Sequence, residues 1–180
     1  MRNIKKMTAT ALFVSFGIVL PLAFHSIPNA GVVFLPMHIP VLICGILCGF
    51  PYGLVCGLVT PLLSALLTGM PPMIMLPSML SELATYGLIT SLLMRYVRIN
   101  NPYIKLYCAL TGAMLSGRLV YGILNAAIFR AGSYSLEMWM SAALFTAIPG
   151  IAMQIVFVPA AVIALQKANL LEPRLQFESK

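Results

Sequence analysis

Three ionisable side chains, His38, Glu82 and Arg118, fall well inside long apolar runs of this 180-residue chain. A charge at the centre of a bilayer costs about 2.5–3.5 kcal/mol on insertion scales, so each of the three needs a partner, water or a ligand. Their neighbours add hydrogen-bonding groups. Arg118, Tyr121 and Asn125 follow at i, i+3 and i+7 and so share one helix face. Ser78, Glu82, Thr85 and Tyr86 make a comparable face on another helix. Each face offers a charge, a hydrogen-bonding group and an aromatic ring, the mixture that binds and orients a small polar molecule. The plainer reading is that Glu82 and Arg118 form an ion pair gluing two helices, since intramembrane charges commonly pair with each other. The two readings are compatible, because a pair can belong to a site.

Little else in the sequence could do chemistry. It has no Gly-rich phosphate loop followed by Lys and Ser or Thr, and no HExxH, GxSxG or paired-cysteine motif. Two histidines and four acids leave scant material for acid–base catalysis. No catalytic residue, cofactor or metal is therefore expected, and energy for uphill transport has to come from another protein or an ion gradient. Cys44, Cys48, Cys56 and Cys108 all lie in apolar runs. Cys44 and Cys48 share a face, but no His or carboxylate stands beside them to complete a metal site, so they read as small buried hydrophobes.

The elements that must position these side chains are membrane helices. Hydrophobic residues make up 61% of the chain and charged ones 8%, against about 25% charged in an ordinary soluble domain, too little polar surface to cover a water-soluble fold. Cutting at charges, prolines and polar clusters gives six spans in one membrane domain, residues 1–180: 8–24, 33–50, 53–69, 73–94, 104–129 and 139–165. The first run is expected to stay as a helix, because further spans follow it and not a soluble region. Phe50-Pro51-Tyr52 reads as a tight turn between the second and third spans.

The +7 net charge belongs to this topology and does not point to nucleic acid. Arg2, Lys5 and Lys6, then Arg95, Arg98 and Lys105, then Lys167, Arg174 and Lys180 fall on one side of a six-span chain, with Arg130 alone on the other. Lys and Arg accumulate in cytoplasmic loops, so both termini are expected to be cytoplasmic. At 1.5 Å of rise per residue, Glu82 then lies roughly 13 Å, Arg118 roughly 16 Å and His38 roughly 8 Å below the outer ends of their spans. All three sit in the outer half, which suggests a pocket open to the outside and closed below. The uncharged segments His25–Gly31 and Thr68–Pro72 are placed to fold over it as lids or simply to connect, and Met37, Met70, Met73, Met75 and Met79 cluster near the same rim.

Two small-residue patterns remain. Gly45, Gly49, Gly53 and Gly57 recur every four residues and read as close helix packing. Thr8, Ala11 and Ser15 form a stripe on the first span, with Ala9 beside it, which suits either internal packing or a docking face for another membrane protein.

The run from Phe34 to Gly53, with its His38-Ile-Pro block, and Pro61 to Pro72, with Thr68-Gly-Met-Pro-Pro, resemble the substrate-binding S components of energy-coupling factor (ECF) vitamin transporters. So do Ser81-Glu-Leu-Ala-Thr-Tyr-Gly, Gly117-Arg-Leu-Val and Thr146-Ala-Ile-Pro-Gly, and the likeness covers nearly the whole chain. The resemblance implies an all-α, six-helix bundle in a bacterial cell membrane that captures a vitamin from outside. It also implies association with an ECF transmembrane coupling protein and two ATPase subunits. Family members often dock through an AxxxA pattern on the first span; here Ala11 is followed by Ser15 and Ala9 by Phe13 at that spacing. The subfamily most similar to this chain includes pantothenate carriers, and a buried Arg118 suits a carboxylated ligand unless Glu82 neutralises it. Pyridoxine, a hydroxymethylpyrimidine and cobalamin are the alternatives. On this reading His38, Glu82, Tyr86, Arg118, Tyr121 and Asn125 bind substrate, while Ala9, Ala11 and Ser15 dock the partner. A competing reading is a self-sufficient secondary transporter that uses Glu82 as its ion or proton site.

Overall fold

The computed structural model describes residues 2–24, 30–129, 135–141 and 146–168. The described residues form helices and connections, with no strand among them. In chain order the helices are α1 (Arg2–Ala23), α2 (Ala30–Phe34), α3 (His38–Leu47), α4 (Tyr52–Thr68), α5 (Leu76–Tyr96), α6 (Pro102–Leu124), α7 (Leu136–Met140) and α8 (Ile148–Lys167). A π-helical turn, Asn125–Phe129, continues α6. By length and composition, Asn3–Ala23, Pro102–Phe129 and Ile148–Lys167 are long and apolar enough to cross a membrane, and His38–Leu47 and Tyr52–Thr68 are shorter apolar helices.

α3 stands at the centre. It is apolar on every side, and all its residues but Ile39 are buried, as expected of a helix surrounded by others. α1, α4, α5 and α8 pack around it, and α6 closes against α5. The core joins Phe13 and Val14 of α1, Val41 to Leu47 of α3, Leu83 and Met94 of α5, Leu106, Leu110 and Ala113 of α6, and Val158 and Val162 of α8. Large apolar side chains on the outer surfaces, such as Leu12 and Phe16 of α1 or Leu66 and Leu67 of α4, remain exposed, as a lipid-facing surface requires.

Close backbone contact fixes the α3–α4–α5 crossing. A Cβ on Gly57 would run into the Leu83 carbonyl, one on Gly87 into the Gly53 carbonyl, and one on Gly45 into the Thr90 hydroxyl. The glycine pattern on residues 45, 53 and 57 is thus a packing surface for α5. Gly49 is different: it has φ 75° and turns the chain between α3 and α4, and Phe50–Pro51 beside it is a cis peptide. Ser91 strengthens the crossing by donating to the carbonyls of Gly87 (2.5 Å) and Gly45 (3.3 Å).

Several span boundaries differ from the sequence reading, for local reasons. The expected span 33–50 is interrupted at Leu35-Pro36-Met37, because the residue before a proline is driven out of the helical region and Leu35 takes φ 51°. α3 alone rises only about 15 Å, half the hydrocarbon thickness, so His38 heads a half-length helix and is not part-way down a continuous one. In the expected span 139–165, α7 ends at Met140 and α8 begins at Ile148 with Pro149 in its first turn, a position where a missing N–H does no harm. α1 begins before the expected residue 8 and takes Lys5 and Lys6 into its first turns. α5 begins at Leu76 with Pro77 in its first turn, and α6 is capped by Asn101, whose side chain accepts from the N–H groups of Tyr103 (2.9 Å) and Ile104 (3.3 Å).

Candidate substrate site

α5 and α6 lie side by side, and their facing polar residues meet in a column. At the end nearer the π-helical turn Ser78 Oγ donates to Asn125 Oδ1 at 2.8 Å, while Asn125 Nδ2 donates back to the Tyr121 carbonyl at 2.7 Å. Asn125 is fully buried and spends both ends of its amide on protein, so it pins α5 to the π-helical turn at the end of α6. One turn further along α5, Arg118 Nη1 lies 3.1 Å from Glu82 Oε1, and His38 Nε2 lies 3.6 Å from Glu82 Oε2. The Glu82 side chain is 3% exposed and that of Arg118 13%. Tyr86, the next turn of α5, closes the cluster on the side away from Ser78, its ring edge-on to His38 with centroids 5.1 Å apart.

The sequence explains why these groups can approach. Gly117 precedes Arg118, and a Cβ there would overlap the Tyr86 ring, so α6 lies directly against that ring only because residue 117 has no side chain. His38 arrives from α3 because the break at Leu35–Met37 starts the helix there; its N–H donates to the Leu35 carbonyl at 3.1 Å. Above, Trp139 of α7 lies over Gly122 and donates its indole N–H to the Arg118 carbonyl at 3.1 Å.

Of the residues read from the sequence, His38, Glu82, Tyr86 and Arg118 come together in one cluster. Asn125 lies seven residues beyond Arg118, in the Ser78 bridge, and Tyr121 is half-buried on the same stretch of α6. Of the methionines expected at the rim, Met37 is buried, Met70 and Met79 are half-buried, and Met73 and Met75 are exposed. The expected lid His25–Gly31 lies outside the described residues up to position 29, as do Arg130 and the basic residues Arg174 and Lys180. On α1, Ala11 and Ser15 are exposed and Ala9 is half-buried, whereas Thr10, Phe13, Val14 and Gly17 form the inward face. Internal packing therefore does not account for the Thr8, Ala11, Ser15 stripe.

Sequence reasoning missed two residues. Trp139 reaches Arg118 from 21 residues further along the chain, a contact that no local spacing reveals. Gln154 of α8 is fully buried with neither amide atom hydrogen-bonded among the described residues. Its only signal in the sequence is a polar residue inside Ile-Ala-Met-Gln-Ile-Val-Phe.

The cluster has unspent hydrogen-bonding capacity. The Arg118–Glu82 and His38–Glu82 contacts are at ion-pair distance, but neither Glu82 Oε1 nor either imidazole nitrogen has an aligned hydrogen-bond partner among the described residues. Arg118 Nε and Nη2 are likewise buried and unpartnered there. Those two N–H groups make up one edge of the guanidinium plane, the edge that grips a carboxylate through two parallel bonds. An anion or paired acceptor is what this edge can hold; bond-making chemistry is not suggested by any nucleophile and base in contact. Among the described residues no group of three His, Cys, Asp or Glu side chains is placed to hold a metal ion.

A sequence profile for the family described as ECF transporter, substrate-specific component, matches residues 5–165. No curated protein and no solved structure matches the chain significantly. The profile takes in every helix of the bundle and the whole polar cluster, and the chain belongs to the family of substrate-specific components of ECF transporters.

Proposed function

We propose that this chain captures a vitamin-class small molecule at the outer side of a bacterial cell membrane and delivers it to an ATP-driven importer, with pantothenate the leading candidate. Components of this family are transport subunits that pair with a transmembrane coupling protein and ATPases, which fits a sequence without a nucleotide-binding loop. The chain would cross the membrane six times with both termini cytoplasmic. That topology is supported by its basic residues, which fall almost entirely on one side of the count.

The observation that carries the reading is the Arg118 edge. Glu82 neutralises the guanidinium at Nη1, which removes the purely electrostatic argument for a carboxylate ligand. The hydrogen-bonding argument survives, because Nε and Nη2 are buried donors without a partner among the described residues, and leaving such donors unpaired costs on the order of 1–3 kcal/mol each. A ligand carboxylate satisfies both at once. Docking of the coupling protein is assigned to the exposed Ala11 and Ser15 on α1, with Ala9 at the edge of the patch.

Binding to the detergent-purified chain, measured by calorimetry against pantothenate, pyridoxine, hydroxymethylpyrimidine and cobalamin, tests the proposal. Saturable binding of one of them, weakened by Arg118→Ala with the fold preserved, is expected. Absence of binding to every member of the panel would refute it.

A further inference from the structure

α8 carries a buried stripe of Gly150, Gln154, Val158 and Val162. Gly150 is pressed against the Val33 carbonyl and the Leu35 side chain, at the break that precedes α3. The next turn of α8, about 6 Å deeper, carries Gln154. Leu35 is also the residue whose carbonyl receives the His38 N–H, so the same step down the bundle leads from the break to the first turn of α3. α8 packs along α3, which carries His38, and touches α6, which carries Arg118. A primary amide at 0% exposure, with both its oxygen and its nitrogen unpartnered among the described residues, is a costly residue to keep unless something completes it.

Resting on the capture reading above, we infer that Gln154 is a second recognition point: its amide pairs with a neutral group of the ligand carrying an adjacent donor and acceptor, while the Arg118 edge holds a carboxylate at the other end. The ligand class is a small carboxylate with an internal amide. Gln154 supplies what Arg118 cannot. An arginine only donates, so it distinguishes an acceptor from everything else; an amide side chain both donates and accepts, and so discriminates an amide from an apolar linker or a lone carbonyl. A site that hydrogen-bonds a ligand's polar group rejects the analogue lacking it far more strongly than an apolar pocket rejects a misfit.

Gln166 serves as the control. It too is buried with both amide atoms unpartnered among the described residues, but it lies about 18 Å further along α8, at the other end of the bundle. The probes are pantothenate, which has the carboxylate and the amide, and the same carbon skeleton with a methylene pair in place of the amide. Gln154→Leu is expected to weaken pantothenate binding roughly ten- to a hundredfold and to bring its affinity down to that of the amide-free analogue, whose own binding it leaves unchanged. Gln166→Leu is expected to leave both affinities at the wild-type level. Wild-type affinity for pantothenate in Gln154→Leu, or equal losses in the two glutamine variants, overturns the assignment. So does a wild-type chain that binds pyridoxine or hydroxymethylpyrimidine in preference to both probes, although capture itself then stands. A chain that binds nothing in the panel overturns the capture reading as well, so the two failures are distinguishable.

Discussion

Removing the Glu82 charge without changing its shape tests whether the three-residue cluster is one electrostatic unit. In Glu82→Gln the side chain keeps its volume, but Arg118 Nη1, 3.1 Å away, loses its counter-ion in a place where the carboxylate it faced is 3% exposed. Breaking a buried pair from one side costs about 3–5 kcal/mol, because a charge is left uncompensated. The amide oxygen still accepts a hydrogen bond, so the lower end applies, about 3 kcal/mol, or a fall of about 6–12 °C in the midpoint of thermal unfolding for a chain of this size. Arg118→Met should cost a similar amount by stranding Glu82, whose remaining cationic neighbour, His38, is 3.6 Å away and charged only if protonated. The double variant removes both charges and should return to within about 1 kcal/mol of the wild type, since an apolar replacement of a whole buried pair is often neutral. Thermal unfolding of the four purified chains in one detergent gives the cycle. Single losses that simply add in the double variant would refute the coupling. The binding arm is equally specific: a carboxylate ligand supplies the missing anion, so pantothenate should raise the unfolding midpoint of Glu82→Gln by more than it raises that of the wild type.

Gly57→Val should destabilise the purified chain by about 1–3 kcal/mol, because its Cβ meets the Leu83 carbonyl and the α4–α5 backbones must part; Gly31→Ala, with open space around it, is the matched control and should leave the unfolding midpoint unchanged. Trp139 is the chain's only tryptophan and donates to the Arg118 carbonyl, so ligand titration should change the intrinsic tryptophan emission, and Trp139→Phe should abolish that signal while weakening binding about fivefold, the value of one modest hydrogen bond. Ala11→Leu with Ser15→Leu should leave ligand binding by the purified chain at the wild-type level and abolish ATP-driven uptake once the coupling protein and ATPases are present, read as accumulation in proteoliposomes.

How much of this was legible depended on whether the physical cost behind a residue is visible locally. Glu82 and Arg118 announce themselves, because a charge inside an apolar run is expensive wherever it points, and their periodic neighbours fixed the face. The glycines at 45, 53 and 57 were readable by spacing, but Gly49 has the same spacing and a different task, one that only its positive φ reveals. The break in the second span had its cause in plain view at Pro36; its consequence, that His38 heads a short central helix, depends on α8 packing against the gap at Gly150. Gln154 is a neutral amide, cheap enough in a hydropathy reading to vanish among Met, Ile and Val, and its burial from every side is a tertiary fact. The α1 stripe was legible as small residues, whereas the side on which they lie was not, because Thr10, against Cys44 of α3, and Gly17, against Thr60 of α4, make an equally small inward face.

The placement of the cluster says which part of the molecule ligand can move. Glu82 and Tyr86 ride on α5, which is locked to α3 and α4 by carbonyl-to-glycine contacts that no small shift preserves. Those two side chains therefore form a fixed wall. The groups facing them come from other elements. Arg118 reaches over from α6, with its carbonyl tied to Trp139 of the five-residue α7; His38 follows three non-helical residues, one of them a leucine in the left-handed region at a cost of about 1–2 kcal/mol. In the proposed binding mode, a ligand held by the Arg118 edge and Gln154 would tie α6 and α8 to each other. The exposed face of α1 belongs to a helix that packs on α3 and α4, the two elements joined to α5 by the glycine crossing and so set apart from the α6 and α8 side.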